Sequence, residues 1–173
     1  KKNKIAKDES GLIEMEKSAE SESKGAGTSF KNVEYKGFNL DNPFIIKSEE
    51  AYILNEDEPH ILNMINMHLI LHLKDGRQVD IISNEGRFNR QSHDAFFKNN
   101  VKAVETPGNT VIHAENLNLL SSSNLAQIYN NVNLINEEGS FLKADSIEYD
   151  FEQKKLKISM FDEERIKMKV VSN

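Results

Sequence analysis

Two histidines four residues apart, His68 and His72, are the first residues whose types and spacing could do chemistry. On a helix such a pair shares one face and can ligate a single metal ion. Here, however, Ile65, Met67, Leu69, Leu71 and Leu73 alternate with Asn66, His68, Ile70 and His72. A period of two is a strand signal, and at ~3.3 Å per residue the two imidazoles stand about 13 Å apart, too far to share an ion. No H-E-x-x-H is present, so no metal site is expected. Ser21-x-x-Lys24 has the shape of a Ser–Lys pair, but its Ser-, Lys- and Glu-rich surroundings offer nothing to hold a base in place. Neither G-x-S-x-G nor a P-loop occurs. Glu115 and Asp145 occupy matching places in two similar segments, and stacked acids of this kind can cleave polysaccharides. Glu49 and Asn84 hold the same place elsewhere, so the acids follow a repeat and not a catalytic plan. No catalytic residue and no cofactor is expected.

The repeat is the stronger signal. Residues 99–119, NNVKAVETPGNTVIHAENLNL, and residues 130–150, NNVNLINEEGSFLKADSIEYD, share an opening Asn pair, a Gly turn and an apolar–x–Ala–acid ending. The core of the pattern is two apolar or strand-forming residues, then a small residue and a polar one. The apolar series resumes three and five places after the small residue. It occurs four times, with Ser48, Ser83, Ala114 and Ala144 as the small residues. Each copy follows a turn signal: Asn42-Pro43, Asp75-Gly76, Pro107-Gly108 and Glu138-Gly139. A step of three inside a period of two moves the apolar face by one residue, as a β-bulge or sharp bend does, and the small residue leaves room for it. The Asn pairs Asn99-Asn100 and Asn130-Asn131 are expected at turns or strand entries. The expected fold is therefore all-β and elongated, an open stack of antiparallel strands whose units bury their apolar faces against their neighbours.

Composition narrows the function classes. The net charge is −6, so no nucleic-acid partner is expected. The chain has no cysteine, which removes disulfides and thiolate chemistry. No apolar run is long enough to span a bilayer. Residues 1–29 are expected to form a flexible tether, with a short helix around Leu12, Ile13 and Met15, and residues 30–173 the β-domain. The chain opens KKNKIAKDESG without Met, so an anchor or signal is expected upstream.

The segments F-K-N-V-E-Y-K-G (30–37), D-I-I-S-N-E-G (80–86), F-F-K-N-N-V (96–101) and K-A-D-S-I-E-Y-D (143–150) resemble, in this order, the OstA-type lipopolysaccharide-transport domains. The layout resembles the LptC family, with the LptA family as the near alternative. The resemblance implies an open β-jelly roll, the β-taco, in the periplasm, tethered to the inner membrane by an upstream helix. It implies lipopolysaccharide as cargo, received from an inner-membrane ATP-driven transporter and passed to LptA.

The inward rows would then hold the acyl chains: Ile65, Met67, Leu69, Leu71, Ile81, Phe97, Val101, Ile112, Leu117, Ile128, Val132, Leu142, Ile147, Tyr149 and Ile158. Unpaired edges would dock partners by backbone pairing. Val33, Tyr35, Phe44 and Ile46 are expected at the N-terminal edge, facing the transporter subunits LptF and LptG. Leu156, Ile158, Ile166, Met168 and Val170 are expected at the C-terminal edge, facing LptA. A non-lipid adaptor solenoid and, more remotely, a polysaccharide-acting enzyme are the competing readings.

Overall fold

The computed structural model describes residues 4–8, 11–17, 28–39, 41–161 and 165–171. Among these residues twelve strands form one antiparallel sheet. They are β1 (Lys4–Asp8), β2 (Gly11–Lys17), β3 (Thr28–Asn39), β4 (Asn42–Ile53), β5 (Ile61–His72), β6 (Gln78–Asn89), β7 (Ala95–Thr106), β8 (Thr110–Leu120), β9 (Leu125–Ile135), β10 (Phe141–Asp150), β11 (Lys155–Ser159) and β12 (Lys167–Lys169). From β1 to β11 each strand pairs with the next in sequence order. The short strands β11 and β12 share the outer side of β10, β11 along Ser146–Asp150 and β12 along Phe141–Lys143. This is the all-β, open, repeat-built sheet that the four-fold pattern predicts.

The long strands bend at mid-length along one line across the sheet. The register slips between Ile82 and Glu85, between Lys98 and Val101, between His113 and Asn116, and between Ala144 and Ser146. Odd and even strands make the bend by different chemistry. On β4, β6, β8 and β10 it falls at the small residues Ser48, Ser83, Ala114 and Ala144, all buried. On β3, β5, β7 and β9 it falls at asparagines with left-handed backbone: Asn32 (φ 51°), Asn66 (φ 53°), Asn99 and Asn100 (φ 64° and 53°), and Asn130 and Asn131 (φ 65° and 56°). Asparagine tolerates this region because its short polar side chain can hydrogen-bond locally. The Asn pairs are thus neither turns nor strand entries; they lie inside β7 and β9 and bend them.

The bend folds the sheet onto itself and makes a core between its two halves. Leu62 and Met64 precede the bend of β5, and Met67 and Leu69 follow it; all four are buried. Gly86 on β6 belongs to this packing, since a Cβ there would lie 2.1 Å from the Met67 sulfur and 3.1 Å from the Phe96 carbonyl oxygen.

Two expectations about the N-terminal part are corrected. Leu12, Ile13 and Met15 lie in strand β2, paired antiparallel with β3, and not in a short helix. A polar stretch with a few alternating apolar residues becomes a strand when a neighbouring edge supplies hydrogen-bond partners. Val33, Tyr35, Phe44 and Ile46 are not edge residues. β3 and β4 are paired on both sides, and these four side chains are 2%, 0%, 3% and 0% exposed. Residues 18–27, with Ser21 and Lys24, lie outside the described residues.

The left-handed asparagines give a direct test. Asn100→Val should cost on the order of 1–2 kcal/mol in urea denaturation, because a β-branched residue resists this backbone region, whereas Asn100→Gly should be close to neutral. Equal losses in both variants would mean that the Asn side chain, and not its backbone, makes the bend.

Candidate functional site

The enclosed end of the interior is an aromatic cluster. Tyr35 and Phe88 are on non-adjacent strands, β3 and β6, yet their ring centroids are 5.0 Å apart, which demonstrates contact across the fold. Phe44 completes the cluster at 5.9 Å from Tyr35 and 6.0 Å from Phe88. His93, from the loop between β6 and β7, stacks on Phe88 at an interplanar angle of 8°. Its Nε2 is 3.3 Å from the Tyr35 hydroxyl, a hydrogen bond that satisfies a phenol buried to 0% exposure. The loop is pinned in place: the Ser121 hydroxyl donates to the His93 carbonyl, and the Asp94 carboxylate accepts from the Ser122 amide and hydroxyl.

Beside this cluster the interior holds little space. A cavity of about 20 Å³ lies among Phe44, Leu69, Leu71, Phe88, His93 and Leu119. A second, of about 80 Å³, lies among Leu71, Leu73, Leu119, Leu120, Leu125 and Phe151. The first has room for about one water molecule and the second for a few. Neither accommodates an acyl chain as the structure stands.

Of the fifteen residues expected to face inward, ten are buried: Met67, Leu69, Ile81, Phe97, Val101, Leu117, Ile128, Val132, Leu142 and Ile147. Leu71, Ile112 and Ile158 are partly buried and pack against that core, and Tyr149 is half-buried against Phe151 at 5.0 Å between centroids. Ile65 departs from the row. It stands one residue before the left-handed Asn66, opposite Glu50 and Glu85, on the outward face. Sequence alternation read straight through Asn66 and so missed Leu62 and Met64, which are inward. It also missed Phe88 and Ala95, although Phe88 comes five places after Ser83 and fits the four-fold pattern.

Burial falls toward the C-terminal end. Leu119, Leu134, Ile158 and Met160 are only partly buried against the core. Ile135, Phe151, Leu156, Phe161, Ile166, Met168 and Val170 are exposed, with Met168 at 62% and Val170 at 72%. Leu156, Ile166, Met168 and Val170 were expected at this edge and lie there, on or beside β11 and β12.

The polar candidates separate. Glu115 and Asp145 sit at the bends of β8 and β10, with β9 between them, and Asp145 accepts the Phe161 amide at 2.8 Å. Glu49, in the corresponding place on β4, accepts the Asn66 side-chain amide. Of the three, Glu49 ties the bends of β4 and β5 together. His68 Nε2 lies 2.9 Å from the Asp80 carboxylate. Burial pushes the Asp80 carboxyl up, but hydrogen bonds from Gln78 and His68 and the nearby His72 outweigh it and hold the group below its ordinary range. Among the described residues no three His, Cys, Asp or Glu side chains come together to hold a metal ion. No helix among them is long and apolar enough to cross a membrane.

No protein-family model matches the chain, and no curated protein matches it. Among solved structures it is similar to the crystal structure of LptH, the LptA homologous periplasmic component of the conserved lipopolysaccharide transport device from Pseudomonas aeruginosa. The match covers 92% of this chain and 95% of that one, at 11% identity and a TM-score of 0.35.

The Asp80 carboxyl sets a pH signature. A group whose pKa is lower folded than unfolded stabilises the fold above its ordinary value, about 4, and that contribution is lost as pH falls through the folded value. Asp80→Asn should therefore lower the urea midpoint modestly at pH 7, and the difference from wild type should shrink as pH falls below about 4. A difference that persists unchanged at pH 2.5 would show that the charge of Asp80 is not what matters.

Proposed function

We propose that this protein carries lipopolysaccharide across the periplasm as a bridge component of the LptC type. The observation that carries the proposal is an open sheet whose apolar inward rows run without interruption to an exposed apolar edge at β11 and β12. In this reading the N-terminal end faces the inner-membrane transporter, including LptF and LptG. The C-terminal edge, with Leu156, Ile166, Met168 and Val170, receives LptA by strand pairing. Such an edge has unpaired backbone groups that a second sheet can extend. Tethering to the inner membrane is part of the same proposal.

The energetics favour an apolar path. Each exposed CH₂ costs about 0.8 kcal/mol, so a chain of about twelve carbons costs on the order of 10 kcal/mol to carry through water. An apolar row from strand to strand removes that cost but does no work. The chain has no P-loop, so the work of extraction falls to a partner ATPase. The small cavities refine the path. The rows around Tyr35, Phe44 and Phe88 act as a packed core, and the acyl chains enter where burial is weaker, along Ile112, Leu119, Leu134 and Ile158, by parting the two halves of the sheet. The same small cavities favour a second reading, a protein-only adaptor with a solid core.

A photo-crosslinking residue at Ile112, compared with one at the outward Glu85, separates the two. With the transporter running, lipopolysaccharide crosslinked at Ile112 and not at Glu85 is the expected result. A folded protein that crosslinks lipid at neither position supports the adaptor reading.

A further inference from the structure

One row on the outer face of the sheet is apolar as well. Beyond the bend, adjacent strands place Val104, Val111, Ile135 and Phe141 directly opposite one another in a single outward row from β7 to β10. Val104 and Val111 are half-buried, Ile135 is 50% exposed and Phe141 36%. An antiparallel sheet ordinarily alternates apolar inside and polar outside; apolar rows on both faces mark a sheet that is covered on both.

The neighbouring outward row, two residues along each strand, identifies the cover. It runs Lys102, His113, Asn133, Lys143 and Lys167 from β7 to β12, each opposite the next. Lys143 and Lys167 are like charges directly across a strand pair, an arrangement that is unfavourable on its own. Arg165 lies beside them in a polar pocket of about 300 Å³. On the same edge of β10, Lys157 and Lys155 of β11 instead stand opposite the acids Glu148 and Asp150. At the N-terminal end of this outward row, Lys47 pairs with Glu34 and His68 with Asp80. Lys102, Lys143 and Lys167 form no such ion pair among the described residues. Asp145 lines the same pocket as Lys143, Arg165 and Lys167, and its carboxylate accepts the Phe161 amide.

We infer that the outer face of β7–β10 and β12 docks on an anionic phospholipid surface. The apolar row enters the interface and the parallel basic row meets the lipid phosphates, the combination by which peripheral proteins lie on charged bilayers. Four to five strands at ~4.8 Å spacing make this a strip about 20 Å long. The inference is independent of whether the interior carries lipid.

The test is sedimentation of the protein with vesicles of phosphatidylglycerol and phosphatidylethanolamine, against vesicles of phosphatidylcholine alone. Binding to the anionic vesicles only, weakening with salt, is expected. Lys102→Gln/Lys143→Gln/Lys167→Gln should weaken it by about a hundredfold, roughly fivefold per cation. Ile135→Ser/Phe141→Ser should also weaken it with every charge kept, whereas Lys155→Gln/Lys157→Gln should bind like wild type. Circular dichroism and urea midpoints establish that each variant is folded. The inference is overturned by wild-type protein that ignores anionic vesicles, by a folded triple variant that binds them equally well, or by full binding without Ile135 and Phe141, which would reduce the face to a general polyanion patch.

Discussion

The rest of the structure depends on a bend that every long strand must make at the same place. A flat twelve-stranded sheet could not shield its inward rows, because nothing would cover them. Bending each strand at mid-length brings Tyr35 of β3 against Phe88 of β6 and turns one sheet into two facing halves. The alternation of solutions is economical: a strand with a left-handed asparagine pairs with a strand whose small residue is buried at the same line. Asn66 on β5 and Glu49 on β4 are hydrogen-bonded to each other there, as are Asn99 on β7 and Glu85 on β6. The polar groups that the bend exposes thus satisfy one another on the outside while the core closes on the inside.

Half of this bend was legible in the sequence. The step of three after Ser48, Ser83, Ala114 and Ala144 is a change of face written directly into the apolar pattern. The other half was not, because Asn-Asn inside a strand looks like the residues that end one. The error propagated to Ile65, since an alternation carried through Asn66 assigns it to the wrong face. The inward residues from β6 to β10 were legible for the opposite reason: their apolar spacing is unambiguous on both sides of the bend. The N-terminal edge could not be found from Val33, Tyr35, Phe44 and Ile46. What covers β3 is β2, a polar segment whose strand character comes from its neighbour and not from its own pattern. The outward row of Val104, Val111, Ile135 and Phe141 is visible only once register is known, because no single strand contributes more than one residue to it.

A packed core and a lipid path make opposite demands. Tight packing around Tyr35, Phe44 and Phe88, locked by His93, gives the sheet a closed and rigid end. Beyond β10 the inward Ile158 and Met160 are only partly buried, and the edge there is exposed and apolar. A gradient of this kind lets one sheet be a stable anchor at one end and a surface that parts or extends at the other. For the proposed transport role, the two halves must separate near Leu71, Leu119 and Phe151 when cargo enters, since the cavities there are too small to take it unopened.

That separation can be measured directly, because the chain has no native cysteine to interfere with labelling. Spin labels at Lys74→Cys and Glu152→Cys flank the larger cavity, one beyond Leu73 and the other beyond Phe151. Pulsed electron–electron distance measurements with and without bound lipopolysaccharide should show the distance lengthening on binding. Lipopolysaccharide that binds stoichiometrically while the distance distribution stays unchanged would contradict a path between the two halves of the sheet.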